Sequence, residues 1–422
     1  MHLLVLLFGG VLLLAVLLDA FQTIILPRRP VGRFRLTRVF FLATWRPWLL
    51  VARLCRSRKA REQTYSIYGP LALLLLFVVW ALMLTFAYGL LYFGLNVPFN
   101  DPSQPTGVWL RLLTCLYVSG TTLFTLGLGD VQPATHLARM FVVLEAGTGL
   151  GFVALVIGYV PVLYNAFSAR EIAVAMLDAR AGSPPTAGEL LVRHHFEGGD
   201  HALTELLAEW ERWCAAMLET HISYPILCYY RSQHDNQSWL SALTTVLDAC
   251  ALLITTIDPT ASNRNGADHL SAAAINASIR QAQLTFAIGR HTLVDLGHVF
   301  SREKRERQLV EAPLARLDHL EFARLCRMIA AEGFQLCGDL GDRDRLTAIR
   351  RLYEPHAQAL AEYLHLDLPL WSPPPPDPHR KRDQWATVAS LRAAAALAER
   401  LSGHVSSQST ASHLQDDDAH GL

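Results

Sequence analysis

Three long apolar stretches stand out along the chain, at Leu3–Leu26, Leu71–Leu95 and Met140–Phe167. Each reaches the roughly 20 residues a helix needs to cross a bilayer. The second carries no charge, the first carries Asp19 and the third carries Glu145. The first stretch lacks a basic leader and is long for a signal peptide. No small-residue cleavage pattern precedes Pro27, so it reads as a span. Past residue 170 the pattern changes to apolar residues at steps of three and four, as in Leu203, Leu206, Leu207, Trp210, Trp213, Cys214 and Met217. That period predicts amphipathic helices over Ala202–Glu219, Gln237–Ile257, Ala267–Gly289, Pro313–Ala331 and Asp342–Leu366. Ser241–Ile257 is short and holds Asp248, which favours a buried core helix over a fourth span.

Charge orients the spans. The chain balances 37 basic against 37 acidic residues, yet residues 27–61 hold eleven basic residues and no acid. Arg28, Arg29, Arg33, Arg35 and Arg38 follow the first span, which places that end in the cytoplasm and the amino terminus outside. The second span then runs outward and the third returns, leaving everything after about Arg170 cytoplasmic. Val39–Leu54 is apolar but interrupted by Arg46 and Pro47. It predicts a helix lying on the inner surface with Trp45 and Trp48 at headgroup depth. Arg53, Arg56 and Lys59 recur every third residue, but no clean span carries them, so a basic surface fits better than a voltage sensor.

Between the second and third spans lies a polar loop, Asn96–Thr106. Gly107–Phe124 follows and is too short to cross and return, so it predicts a re-entrant helix. Next comes Thr122-Leu-Phe-Thr125-Leu126-Gly127-Leu128-Gly129-Asp130. Alternating glycines admit backbone angles closed to residues with a Cβ, so successive carbonyls can face one axis. Bare carbonyls at membrane depth are tolerated only along a polar pathway. A ring of them can replace the water of a dehydrated cation. The candidate ion-coordinating residues are Thr125, Leu126, Gly127, Leu128 and Gly129, with K⁺ at the first four. Thr122, Asp130 and Glu145 are candidate supports.

Outer helix, pore helix, T-x-x-T-x-G-x-G-D and inner helix, over about Gly69–Phe167, resemble the pore domain of the potassium channel superfamily. The resemblance implies a backbone-carbonyl filter, passive K⁺ conduction and a homotetramer, since each chain brings one pore loop and a closed cage takes four. Leu128 departs from the family, which usually has Tyr or Phe there, and this opens the degree of K⁺ over Na⁺ selectivity. Asp19-Ala-Phe-Gln-Thr-Ile-Ile-Leu-Pro-Arg-Arg ahead of such a pore is similar to bacterial channel-like proteins with one extra amino-terminal span and a helical carboxy-terminal region.

Gly149, Gly158 and Pro161 are candidate gating hinges, because glycine and proline both loosen a helix. For Gly149 hinge and packing stand equal. Gly147 and Gly151 form a G-x-x-x-G pair and favour packing. Glu145 reads either as a brace behind the pore helix or as a water-exposed acid near the outer interface. Asp19 reads as an ion-pair partner of Arg28 and Arg29. His136 reads as a solvated loop histidine, and His194-His195 as a surface pair.

The expected fold class is an all-α membrane protein built on a tetrameric potassium-channel pore. Its expected parts are an amino-terminal transmembrane helix (1–27), a basic linker with an interfacial helix (28–66), the pore domain (67–169), an all-helical cytoplasmic domain (170–370) and a Pro-rich linker, short helix and disordered tail (371–422). No strand–G-x-G-x-x-G–helix unit appears, so no nucleotide-binding domain is indicated. His221, Tyr224, Cys228, Tyr229, Tyr230, His234 and Asp235 form a polar-aromatic cluster that fits a helix interface better than a metal site. The seven cysteines show no C-x-x-C pair. No catalytic constellation is visible. The expected function is a K⁺-selective channel of the inner membrane, gated at the inner helix by the cytoplasmic domain. Its expected partners are K⁺ as permeant ion, the lipid bilayer and three further copies. No other cofactor and no nucleic acid is expected, and a ligand for residues 170–370 stays open. The alternatives are a weakly selective cation channel, or a non-conducting membrane-anchored sensor or scaffold.

Overall fold

The computed structural model describes residues 2–26, 35–102, 107–195, 199–233, 237–256, 272–300, 314, 316–331 and 340–373. The protein is an all-α membrane protein. Among the described residues three helices are long and apolar enough to cross a bilayer: α1 (His2–Ile24), α3 (Arg58–Gly94) and α5 (His136–Ala181). α1 is apolar along its length up to Asp19. It lies along α3, where Val16 and Ala20 join Leu73, Leu76, Phe77, Trp80 and Leu84 in one buried cluster. In the most apolar window of α3, 50% is buried, against 11% in α5. The apolar surface of α5 is therefore left for lipid or for further copies of the chain.

Between α1 and α3 lies α2 (Leu36–Leu54), which follows the expected surface helix. Its tryptophans do not face outward. Trp45 is 4% exposed, packs on Tyr65, Tyr68 and Tyr229, and donates from Nε1 to the Tyr363 carbonyl at 3.1 Å. Trp48 donates to the Thr64 carbonyl at 2.9 Å. Both rings tie α2 to its neighbours because an indole N–H inside a fold needs an acceptor.

Two expected boundaries shift. α3 starts at Arg58, inside the expected linker, with Ser57 capping it by accepting from the Ala60 amide. α5 spans 46 residues without a break, about 70 Å at 1.5 Å per residue. The expected boundary at 169/170 falls within it, so α5 continues directly into the helices that follow.

Those helices are α6 (Ala187–Arg193), α7 (Gly199–Ser223), α8 (Trp239–Thr255), α9 (Ala272–Phe300), α10 (His319–Ala331), α11 (Leu340–Arg350) and α12 (Glu354–Leu364), with a 3₁₀ turn at Pro225–Tyr229. α8 is the core helix, buried on nearly every face. Its one acid, Asp248, receives hydrogen bonds from Arg316 and from the Tyr353 hydroxyl. The helix expected over Asp342–Leu366 is two helices. Pro355 stands at the start of α12, where a missing N–H costs nothing, and so ends α11 before it. His194 is 8% exposed, not a surface residue, with its ring Nδ1 at 2.7 Å from the Leu190 carbonyl. Arg28, Arg29, Arg33, His234, Asp235, most of the Pro-rich linker, the expected helix near Ala386–Leu401 and the tail lie outside the described residues.

Candidate functional site: the pore loop

α4 (Val108–Leu123) forms a helix, sixteen residues long, over the stretch Gly107–Phe124. It packs on α3 and α5 through Cys115, Val118, Ser119 and Leu123. A two-residue antiparallel pair, Phe99–Asn100 (β1) with Gln132–Pro133 (β2), joins the chain ahead of α4 to the chain after the glycine motif. The loop is thus held at both ends.

Along Thr125–Gly129 the sign of φ alternates. Thr125, Gly127 and Gly129 have φ of +56°, +54° and +76°, while Leu126 and Leu128 are not in the left-handed region. In a regular strand successive peptide groups face opposite ways, and alternating hands bring them to the same side. The N–H groups of Leu126 and Gly127 both point at the Thr121 carbonyl, at 2.8 and 3.2 Å, and that of Thr125 points at Thr122, at 3.0 Å. Across a trans peptide the C=O opposes the N–H. The Thr125 and Leu126 carbonyls therefore face away from the end of α4. No hydrogen bond among the described residues occupies the carbonyls of Thr125, Leu126, Gly127 or Leu128. Gly129 differs, since its carbonyl accepts from Gln132 Nε2 at 3.0 Å. Leu126 and Leu128 are each 63% exposed in the single chain.

The glycines explain two of the three left-handed positions, because they lack the clashing Cβ. Thr125 is the costly one. A β-branched residue at positive φ is strained by about 1–3 kcal/mol, and such strain gathers at functional sites.

Contacts from α3, α4 and α5 support the loop. Glu145 on α5 is fully buried and accepts from Ser119 of α4 and from Tyr92 of α3. It is therefore not a water-exposed acid. Ser119 also reaches the Thr85 carbonyl at 2.8 Å. Asp130, just past the motif, accepts from the Tyr117 hydroxyl of α4 at 2.7 Å. Gly149 packs so closely on the end of α4 that a Cβ there would lie 2.1 Å from the Leu123 carbonyl oxygen. Thr122 contributes its main-chain carbonyl. Ser119, Tyr92, Tyr117, Thr121 and Gln132 were invisible as site residues, since a lone polar residue in an apolar helix gives no periodic signal.

Residues 73–164 match the family model described as ion channel. This stretch is similar to an ion-channel domain. An uncharacterized membrane protein of Bacillus subtilis, YdjJ, is 26% identical over 196 residues, covering 44% of this chain and 53% of the relative. The chain thus spans about half the length of the curated relative it matches. No solved structure matches the chain.

Around the pore domain the remaining candidates divide. α5 is continuous through Gly149, Gly158 and Pro161, with Pro161 leaving the Ile157 carbonyl without its helical donor. A Cβ at Gly147, Gly151 or Gly158 would meet nothing within 4 Å in the single chain, so the G-x-x-x-G pair makes no close contact within it. Asp19 caps α2, and the Arg28 and Arg29 expected beside it lie outside the described residues. It accepts from the Thr37 amide at 3.1 Å, the Thr37 hydroxyl at 2.6 Å and the Trp80 indole at 3.1 Å, with Arg35 Nε at 3.9 Å. A carboxylate at a helix start is favoured by the helix dipole. His136 is exposed at the first residue of α5.

The polar-aromatic cluster closes on Arg170, which is 3% exposed. Its guanidinium donates to the Leu227 and Tyr230 carbonyls, each at 2.9 Å, to the Glu171 carboxylate and to His221 Nε2 at 3.2 Å. Arg170 thereby fastens the inner helix of the pore domain to the 3₁₀ turn. That turn in turn contacts α3 and α7. Burial, and the Arg170 charge beside it, hold the His221 imidazole well below its usual value, so it stays neutral. Neutrality lets Nε2 accept from the arginine. Among the described residues no group of His, Cys, Asp and Glu is placed to hold a metal.

Proposed function

We propose that four copies of this chain assemble around one axis and form a K⁺-selective channel of the inner membrane. The carbonyls of Thr125, Leu126, Gly127 and Leu128, with the Thr125 hydroxyl at the inner mouth, take the place of the ion's hydration shell. Ions pass downhill between adjacent sites, and repulsion between neighbours speeds exit. The observation that carries this reading is the alternation of backbone hand over Thr125–Gly129, with four carbonyls left free of hydrogen bonds. The open apolar face of α5 supports assembly, because in one chain it covers nothing. Gating runs from the cytoplasmic helices through Arg170 into the uninterrupted inner helix.

The test is Rb⁺ uptake into liposomes holding the purified full chain. Uptake that Ba²⁺ blocks and Gly127→Ala abolishes is the expected result, since an alanine Cβ is strained at φ +54°. No uptake under any condition rejects conduction and leaves the sensor or scaffold reading. A second reading rests on Leu128. Its side chain is largely exposed and brings no aromatic ring to stiffen the loop, which favours a weakly selective cation channel. Reversal potentials in mixed K⁺ and Na⁺ separate the two.

A further inference from the structure

Away from the pore loop, a cavity of 330 Å³ opens where the end of α1 and the start of α2 meet α3, α5 and the cytoplasmic helices. Its wall is divided by chemistry. Leu73 and Leu76 of α3 and Ile226 of the 3₁₀ turn give it an apolar side. Leu73 and Leu76 belong to the first turns of the uncharged stretch Leu71–Leu95, so the cavity straddles the level at which the apolar span meets polar helices. On the other side stand Arg35 and Arg38, with the hydroxyl of Thr23 between α1 and α2.

The arginines are only partly used. Arg35 donates one Nη2 bond to Thr23 Oγ1 at 2.9 Å, but its Nε is buried and has no hydrogen-bond partner. Asp19 pairs with it only as an ion, its Oδ1 at 3.9 Å from that nitrogen and beyond hydrogen-bonding reach, while Thr37 and Trp80 bond to its Oδ2. A buried donor left unmade costs free energy that an acceptor entering the cavity would recover. Arg38 is exposed, and the first turn of α2 carries no acid. The acid in the wall is Asp295, which lies near two histidines, His291 at 3.4 Å and His298 at 3.9 Å. The α2 side therefore presents the exposed Arg38 and the Asp19-paired Arg35, with its open Nε, beside an apolar slot.

We propose that this cavity binds a membrane phospholipid, its phosphate against Arg35 and Arg38 and one acyl chain along Leu73 and Leu76. Guanidinium groups recognise phosphate oxygens through paired N–H bonds, and the apolar wall accounts for a tail that a free phosphate lacks. The site joins α1, α2, α3 and α5 to the cytoplasmic helices, so an occupant bridges membrane and cytoplasmic parts. Binding does not depend on conduction, and the test below reads binding alone.

The experiment is native mass spectrometry of the full chain in a neutral detergent, titrated with dioleoylphosphatidylglycerol, dioleoylglycerol or inorganic phosphate. The expected result is one saturable phosphatidylglycerol per chain, with dioleoylglycerol at least tenfold weaker and inorganic phosphate failing to compete at millimolar concentration. Arg38→Gln should weaken the lipid at least fivefold, and Ser223→Trp, which fills the cavity from its wall, should abolish the saturable component. Both variants are checked for wild-type thermal unfolding. Arg35→Gln is added only as support, because Arg35 also holds Thr23. Equal affinity for dioleoylglycerol, full competition by inorganic phosphate, or wild-type binding in both R38Q and S223W overturns the proposal.

Discussion

Ser119 on the pore helix donates its hydroxyl to the carboxylate of Glu145 on the inner helix, 26 residues later in the chain. With Tyr92 of the outer helix on the second oxygen, one acid joins all three helices of the pore domain behind the loop. A carboxylate carries acceptors on both oxygens and can serve two donors at once. Its removal leaves the buried Tyr92 hydroxyl without its partner and Ser119 with the Thr85 carbonyl alone.

Glu145→Ala should therefore destabilise these helices by about 1–3 kcal/mol, the cost of one buried unmade hydrogen bond. Rb⁺ flux should fall more than tenfold. Glu145→Gln keeps the shape and one acceptor and should lose less on both measures. Equal thermal midpoints for E145A and wild type would show that the brace carries no load.

Gly149 and Gly158 separate packing from bending. At Gly149 a Cβ would sit 2.1 Å from the Leu123 oxygen, so Gly149→Ala forces α5 off the pore helix, at a cost of about 1–3 kcal/mol. At Gly158 the space is open, and alanine stabilises a helix interior by about 1 kcal/mol. G158A should unfold at the same or a higher temperature. If Gly158 is a hinge, flux falls while stability holds. Unchanged flux in G158A removes it from the gate.

Thr125 offers its hydroxyl from a strained backbone. Thr125→Ser keeps the oxygen and sheds the β-branch, so K⁺ over Na⁺ discrimination should hold and stability should not fall. Thr125→Val keeps the branch and strain but loses the oxygen, and discrimination should drop. Reversal potentials in mixed salts read both. Matching selectivity in T125V and wild type would remove the hydroxyl from the pathway.

His221 makes stability depend on pH. Its folded-state pKa lies well below the unfolded value of 6.5. Below pH 6.5 the unfolded chain takes up a proton that the folded chain refuses, so stability falls as acid is added, by up to about 1.4 kcal/mol per pH unit. Asp248 runs the other way. Burial raises it to about 6, so its contribution is greatest below 3.8 and is lost as pH rises through about 6. Comparing wild type with His221→Gln, which keeps an acceptor for Arg170, isolates the histidine. The wild type should lose stability relative to H221Q between pH 6.5 and 5. Parallel chemical-denaturation curves over that range would count against the neutral imidazole.

The sequence by itself determined the three spans, the re-entrant helix between the second and third, and the glycine-bearing motif after it. These are local properties. Apolar length is read within one stretch, and the need for glycine at positive φ within five residues. The tertiary structure decided what those stretches lean on. Glu145 could be read as exposed or buried until α4 and α3 supplied Ser119 and Tyr92, and Asp19 found Thr37 and Trp80. The left-handed backbone at Thr125, the burial of His194 and the grip of Arg170 on the 3₁₀ turn are set by neighbours up to 60 residues away. A buried polar group takes its partner from whichever element folds against it, and no periodicity along the chain records that choice.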